Sequence, residues 1–192
     1  YPQSKAIAEQ RVMAASSRGL KTVSLRPHLV WGPGDNQLLP RLLQRARRGT
    51  LQLPGAEKLI DTVYIDNAAH AHLLALAALD TNPACRGRTY FISNAEPWPQ
   101  AQIISALLAA AGVEVRIKAI PSTVAVVVGA LAEGWWRLSR RVDEPPLTRW
   151  SAQQLSTAHW YDISAARDDL GYQPLISMHE GLARLRLASL PP

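Results

Sequence analysis

"LIDTVYIDNAAHAHLLALAAL", residues 59–79, holds the switch that decides the fold. Its first seven residues, "LIDTVYI", are rich in β-branched and aromatic side chains and read as a strand. From Asp66 the composition changes at once to Ala, Leu and His, a good helix-forming run with Asp66 placed as an N-cap. A strand that passes directly into a helix is the building unit of an α/β protein.

The same alternation extends in both directions. Upstream, "SKAIAEQRVMAAS" carries apolar residues at helical spacing and predicts a helix over about 2–17. "TVSLRP" predicts a short strand ending at Pro27, and "WGPGDN" is a dense turn. "QLLPRLLQRARRG" is an amphipathic helix with Pro40 in its first turn and Gly49 as its stop. Downstream, "RTYFIS" predicts a strand, and "NAEPWPQAQIISALLAAAG" a loop and then a helix closed by Gly112. "VEVRIKAIP" is a strand stopped by Pro121. A helix follows over 122–141, "DEPPLTRW" is a linker, and two short helical patterns surround "ISAARDDLGY" and "SMHEGLARLRLASL". Strands alternating with helices predict a parallel α/β sheet, and the last third is mostly helical.

The 192 residues are 47% hydrophobic and 19% charged, an ordinary globular composition. A single Cys, Cys85, placed in a loop, excludes an internal disulfide framework and points to a reducing compartment. No run reaches the roughly 18 apolar residues of a membrane span. The net charge of +6 comes largely from "RLLQRARR" and "RLSRR", both on predicted helices. These lack the aromatic interleaving, zinc spacing or recognition-helix pattern of a nucleic-acid binder, so no nucleic-acid partner is expected. The five histidines show no metal-ligand spacing; His70 and His72 point apart on a helix, and no metal is expected.

The chain opens on "YPQSK". Tyr1 and Lys5 stand one helical turn apart on the same face. A phenol with a pKa of about 10 is a poor base near neutrality, and an adjacent ammonium lowers that pKa. Such a pair suits proton exchange with a carbinol or a forming alkoxide. Taken alone, Y-x-x-x-K is a common helical spacing.

Three further segments stand at matching distances: "LRPHLVWGPGD", "DTVYIDNAAHAHLLAL" and "AARDDLGYQP". Together the four resemble the extended short-chain dehydrogenase/reductase superfamily, in its 3-beta-hydroxysteroid dehydrogenase-like branch, over almost the whole chain. "LRPHLVWGPGDNQLLPRLL", "DEPPLTR" and "TAHWYDISAARDDLGYQP" look most like the 2-alkyl-3-oxoalkanoate reductases, with sterol-4-alpha-carboxylate 3-dehydrogenases close behind. The resemblance implies the C-terminal half of a Rossmann-type doubly wound parallel sheet. It places the dinucleotide-binding portion at 1–118, with substrate-side elements near 31–58, and a mostly helical substrate-binding part at 119–192.

It also implies roles. Tyr1 matches the acid/base, and Lys5 the partner that lowers its pKa and contacts the nicotinamide ribose of NAD or NADP. Pro27, His28 and Val30 match the backbone segment facing the nicotinamide carboxamide. Residues 31–35 lead toward the substrate, and 64–67 form a mainly structural junction. The implied substrate is a hydrophobic secondary alcohol or ketone. The Gly-rich turn that receives the pyrophosphate does not occur in these 192 residues, and "WGPGD" is interrupted by Pro33. The chain is therefore expected to be the C-terminal half of a longer reductase, without its catalytic Ser or Thr and inactive alone.

Two other functions fit the same residues: a sugar-nucleotide epimerase or dehydratase of the same superfamily, and a non-catalytic reductase-like binding module. "STVAVVVGALAEGWWRLSRR" admits several readings: a substrate lid, core packing, a homodimer contact, or peripheral contact with a membrane by a cytoplasmic protein.

Overall fold

The computed structural model describes residues 2–47, 49–139 and 148–189. Tyr1, Arg48, Arg140, Arg141 and residues 143–147 of the expected "DEPPLTRW" linker lie outside the described residues. The chain forms two compact units: residues 1–34, 61–97 and 160–188 make unit 1, and residues 35–60, 98–159 and 189–192 make unit 2. The units interleave along the chain.

In unit 1, helix α1 (Pro2–Ser16) is followed by strand β1 (Ser24–Pro27) and the short β2 (Val30–Trp31). Chain 61–97 contributes β5 (Val63–Tyr64), α3 (Ile65–Thr81), a 3-10 turn at Pro83–Cys85, and β6 (Thr89–Ile92). Helices α7 (Ser164–Leu170) and α8 (Met178–Ser189) complete it. β1 pairs parallel with β6, Ser24 opposite Thr89 and Pro27 opposite Ile92. β2 pairs parallel with β5. These parallel pairs, each joined through helical crossovers, are the expected α/β architecture.

The core of unit 1 follows from the small face of α3. Ala68, Ala71, Ala75 and Ala78 recur at helical spacing and let the helix approach Val63, Tyr90 and Ile92 closely. Leu170 and Tyr172 seal the other side. Cys85 is not a loop thiol: it sits in the 3-10 turn and is wholly buried in this core. Gly171 ends α7 in the left-handed conformation, φ 68°, which a side chain would resist.

Unit 2 contains α2 (Leu38–Ala46), β3 (Thr50–Pro54), β4 (Leu59–Ile60), β7 (Trp98–Pro99) and α4 (Gln100–Ala110), then β8 (Arg116–Ile120), α5 (Ser122–Leu138) and α6 (Arg149–Leu155). β3 and β8 are parallel, with Thr50 opposite Arg116, while β4 and β7 are antiparallel. Asp35 caps α2 from outside: its carboxylate accepts from the backbone N–H of Gln37, Leu38 and Leu39 at 2.7–3.0 Å. α6 begins inside the expected linker, because Thr148 and Ser151 form a reciprocal capping box.

Two further expectations change. "LIDTVYI" is not one strand: β4 and β5 are separate and take different partners, β7 and β2, with Asp61 and Thr62 between them. Asp66 is not an N-cap. Tyr64 holds that position, and Asp66 lies in the first turn of α3, where its carboxylate favours the helix dipole and pairs with Arg184 at 3.2 Å.

Candidate functional site

In a parallel sheet the strand C-termini open on one edge, and that edge is where α/β proteins hold ligands. In unit 1 this edge is formed by the ends of β1 and β6. His28 N–H donates to the Ile92 carbonyl at 3.1 Å, so the segment after β1 continues the register of the pair. The chain then bends sharply. Leu29 adopts φ 46°, a left-handed conformation rare for a branched hydrophobic residue, while its carbonyl accepts from Val63 N–H at 3.3 Å. Backbone strain of this kind concentrates at functional sites. Next to it the His28 ring meets Tyr161 edge-on at 4.9 Å, and Tyr161 stacks on Phe91 at 4.2 Å.

Helix α1 lies over β1. A groove of about 680 Å³ runs between them, lined by Lys5, Glu9, Val12, Leu25, Arg26 and Pro27 among others. Lys5, Glu9 and Val12 share one helical face at i, i+4 and i+7. Arg26 grips Glu9 with two parallel bonds, Nε to Oε2 at 2.9 Å and Nη2 to Oε1 at 2.7 Å. Thr89 adds a third at 3.0 Å. The guanidinium hydrogen bond holds the Glu9 carboxyl below its ordinary pKa. The Arg26 side chain also lies over the Phe91 ring at 5.4 Å. This clamp fixes the helix that carries Lys5 against the strand that ends in Pro27.

A second set of residues lies behind the edge and is fully buried. Ser93 Oγ donates to Asp61 Oδ2 at 2.5 Å, and Thr62 N–H donates to Asp61 Oδ1 at 3.0 Å. Burial raises the Asp61 pKa, against the pull of these hydrogen bonds. Asn94 Oδ1 accepts from Tyr64 N–H at 3.0 Å and from Asn67 Nδ2 at 2.9 Å. Asn67 Nδ2 also donates to the Ile176 carbonyl, and its Oδ1 accepts the backbone N–H of Leu175 and Ile176. Asn67 thus meets its full hydrogen-bonding capacity and ties the start of α3 to the segment before α8. Trp31 Nε1 donates to Thr62 Oγ1 at 3.0 Å, and Thr62 Oγ1 to Met178 Sδ at 3.3 Å.

Of the residues expected from sequence, Tyr1 lies outside the described residues. Lys5 stands exposed on α1, and the groove brings it onto common walls with Pro27. Among the described residues that line the groove, His28 and Val30 do not appear: His28 packs on Tyr161, and Val30 pairs with Val63 across β2 and β5. Trp31 is buried in unit 1. The junction at 64–67 has structural bonds at each end, through Tyr64 N–H and Asn67. Sequence reading missed Glu9, Arg26, Asp61, Ser93 and Asn94. Only the Glu9–Lys5 spacing on α1 hinted at any of them.

An open edge of parallel strands, a lysine-bearing helix clamped above it and a strained loop beside it define a Rossmann-type α/β protein. Comparison with solved structures agrees on the fold. RMD from Pseudomonas aeruginosa, determined with NADPH, superposes with a TM-score of 0.64 at 16% identity, covering 98% of this chain and 55% of that one. The family model described as the 3-beta hydroxysteroid dehydrogenase/isomerase family matches residues 1–121, and the chain belongs to that family. A 2-alkyl-3-oxoalkanoate reductase of Stenotrophomonas maltophilia is 53% identical over 190 residues, 98% of this chain and 58% of the relative. A decarboxylating sterol-4-alpha-carboxylate 3-dehydrogenase of Schizosaccharomyces pombe is 37% identical over 96% of this chain and 55% of its own. The chain thus spans a little over half the length of these relatives.

Proposed function

We propose that this chain carries the acid/base and nicotinamide-side part of an NAD(P)-dependent oxidoreductase that interconverts a secondary alcohol and a ketone on a hydrophobic substrate. The substrate class is 2-alkyl-3-oxoalkanoate in the first place, and 3-hydroxysteroid or sterol in the second. The observation that carries the reading is the 53% identity to a 2-alkyl-3-oxoalkanoate reductase across nearly the whole chain. The groove supports it, since Lys5 reaches the same space as the end of β1.

The residues present fit one end of a dinucleotide. An exposed ammonium at Lys5 suits the hydroxyls of a ribose, and the strained backbone at Leu29 suits close approach by a planar amide. No Gly-rich turn in the sequence suits the pyrophosphate. When bound, the nicotinamide supplies hydride exchange with the carbinol carbon. The chain's own residues manage the proton. Tyr1 gives it to, or takes it from, the substrate oxygen, and Lys5 keeps the phenol acidic enough to do so. The Glu9–Arg26 clamp holds α1 so that Lys5 stays over the strand ends. Assayed alone, the 192 residues turn over no substrate, for want of the pyrophosphate cradle.

The test uses the protein at its natural length with a 2-alkyl-3-oxoalkanoate and each nicotinamide cofactor. Tyr1→Phe keeps the ring and removes the proton, and kcat falls by about 10²–10⁴. Near wild-type kcat in that variant overturns the assignment.

A further inference from the structure

Glu9 stands where it can cancel the charge that Lys5 is there to supply. It follows Lys5 by four residues on α1, one turn along the same face, and both side chains line the groove. At that spacing a carboxylate and an ammonium attract each other. A Lys5 paired to Glu9 would lend little positive field to a phenol four residues away in the other direction. The pKa of that phenol would then return toward its ordinary value of about 10.

The sheet keeps Glu9 occupied. Ser24 and Arg26 of β1 stand in register with Thr89 and Phe91 of β6, and strand alternation turns all four to one face of the pair. Arg26 reaches both Glu9 oxygens, Thr89 Oγ1 donates to Oε1, and the Phe91 ring supports the guanidinium. Three hydrogen bonds thus hold the carboxylate, and Lys5 supplies none of the three. The charged groups facing Glu9 are Arg26 from β1 and Lys5 from its own helix, while Thr89 of β6 faces it as a neutral donor. Among the described residues lining the groove, Lys5, Glu9 and Arg26 are the charged ones. Arg26 and Glu9 cancel, so the net positive charge of the groove is that of Lys5.

We propose that Arg26 is a positioning residue that acts through Glu9: by taking both carboxylate oxygens it keeps Glu9 off Lys5, so that the Lys5 ammonium acts on the Tyr1 phenol. This rests on the acid/base reading above. The test uses the protein at its natural length and two readouts. One is the phenol titration without cofactor, by ultraviolet difference spectra against Tyr1→Phe in the same background. The other is the pH profile of kcat/KM for oxidation of a 2-alkyl-3-hydroxyalkanoate. In that direction the carbinol proton passes to the phenolate, so the rate rises with pH through the phenol pKa. Arg26→Met moves both midpoints upward by about 0.5–1 pH unit, and adding Glu9→Gln returns both to the wild-type position. Arg26→Gln keeps one donor to Glu9 and loses the cation; it shifts the midpoints in the same direction and decides the question where Arg26→Met folds poorly. A purely mechanical clamp gives the opposite pattern, with midpoints unmoved in every variant, and that result overturns the proposal. An upward shift that persists in the double variant also overturns it, because Glu9 is then not the agent. The two readings fail separately. Near wild-type kcat in Tyr1→Phe removes the acid/base reading and this one with it, whereas a lost kcat there beside unmoved midpoints in the Arg26 variants removes this one alone.

Discussion

Gly181→Ala tests the packing that carries the site's edge. Gly181 is buried on α8 against two rings. A Cβ built on it would stand 2.8 Å from Tyr64 Cδ2 and 2.9 Å from Trp31 Cη2. Neither ring can yield easily. Trp31 is 1% exposed and held by its bond to Thr62, and Tyr64 is 2% exposed with its backbone bonded to Asn94. Alanine gains about 1 kcal/mol of helix propensity over glycine. Forcing a methyl into a closed site costs about 1–3 kcal/mol, and contacts this short place the cost at the upper end. The net is a loss of about 1–2 kcal/mol, or a fall in Tm of about 3–6 °C for a chain of this size. Gly134 on α5 is the matched control, because nothing lies within 4 Å of a Cβ there and its φ is ordinary. Gly134→Ala raises Tm by about 2–4 °C through propensity alone. Both are read by thermal melts followed by circular dichroism at 222 nm. A Gly181→Ala protein as stable as wild type would refute the close-packing argument, whatever the control does.

Two further outcomes are expected. Asn67→Ala strips the buried bonds to Asn94, Leu175 and Ile176 and leaves the backbone N–H groups of Leu175 and Ile176 without their acceptor, lowering stability by about 3 kcal/mol in urea melts; a loss under 1 kcal/mol would show that water replaces the amide. Asp61→Asn changes the pH dependence of stability. The native carboxyl is raised by burial, so its contribution is complete below the unfolded pKa of about 4 and is lost as pH rises through the native value. The variant therefore gains on wild type as pH rises above about 4, and a stability difference that stays flat or reverses as pH rises contradicts the assignment.

The helices were legible in sequence because their signals are local. The Ala face of α3, the amphipathic α2 and the Gly stops of α2 and α4 all lie within a few residues of what they govern. The strand pairs were legible as α/β, but their breaks were not. "LIDTVYI" has the composition of one strand, yet Asp61 is bonded to Ser93, 32 residues away, and Thr62 to Met178, 116 residues away. No window along the chain contains both partners, so the polar pair that divides β4 from β5 looks like an ordinary strand interior. Asp66 was misread for the same reason: it is a fair N-cap by type, but Arg184, far along the chain, supplies its partner. The site divides likewise. Lys5 declares itself by its spacing from Tyr1, whereas Arg26 acquires a role only when β1 comes to lie under α1 and meets Glu9. Helix α5 was the hardest case, because an apolar run on both faces gives no period to choose between them. Folding makes the choice: Gly129 brings one face against α6, and the valines, Leu131 and Trp135 are left on the other. A residue's function is thus readable from sequence to the extent that its partners are near in the chain, and the long-range bonds of Asp61, Asn67 and Arg26 mark where that reach ends.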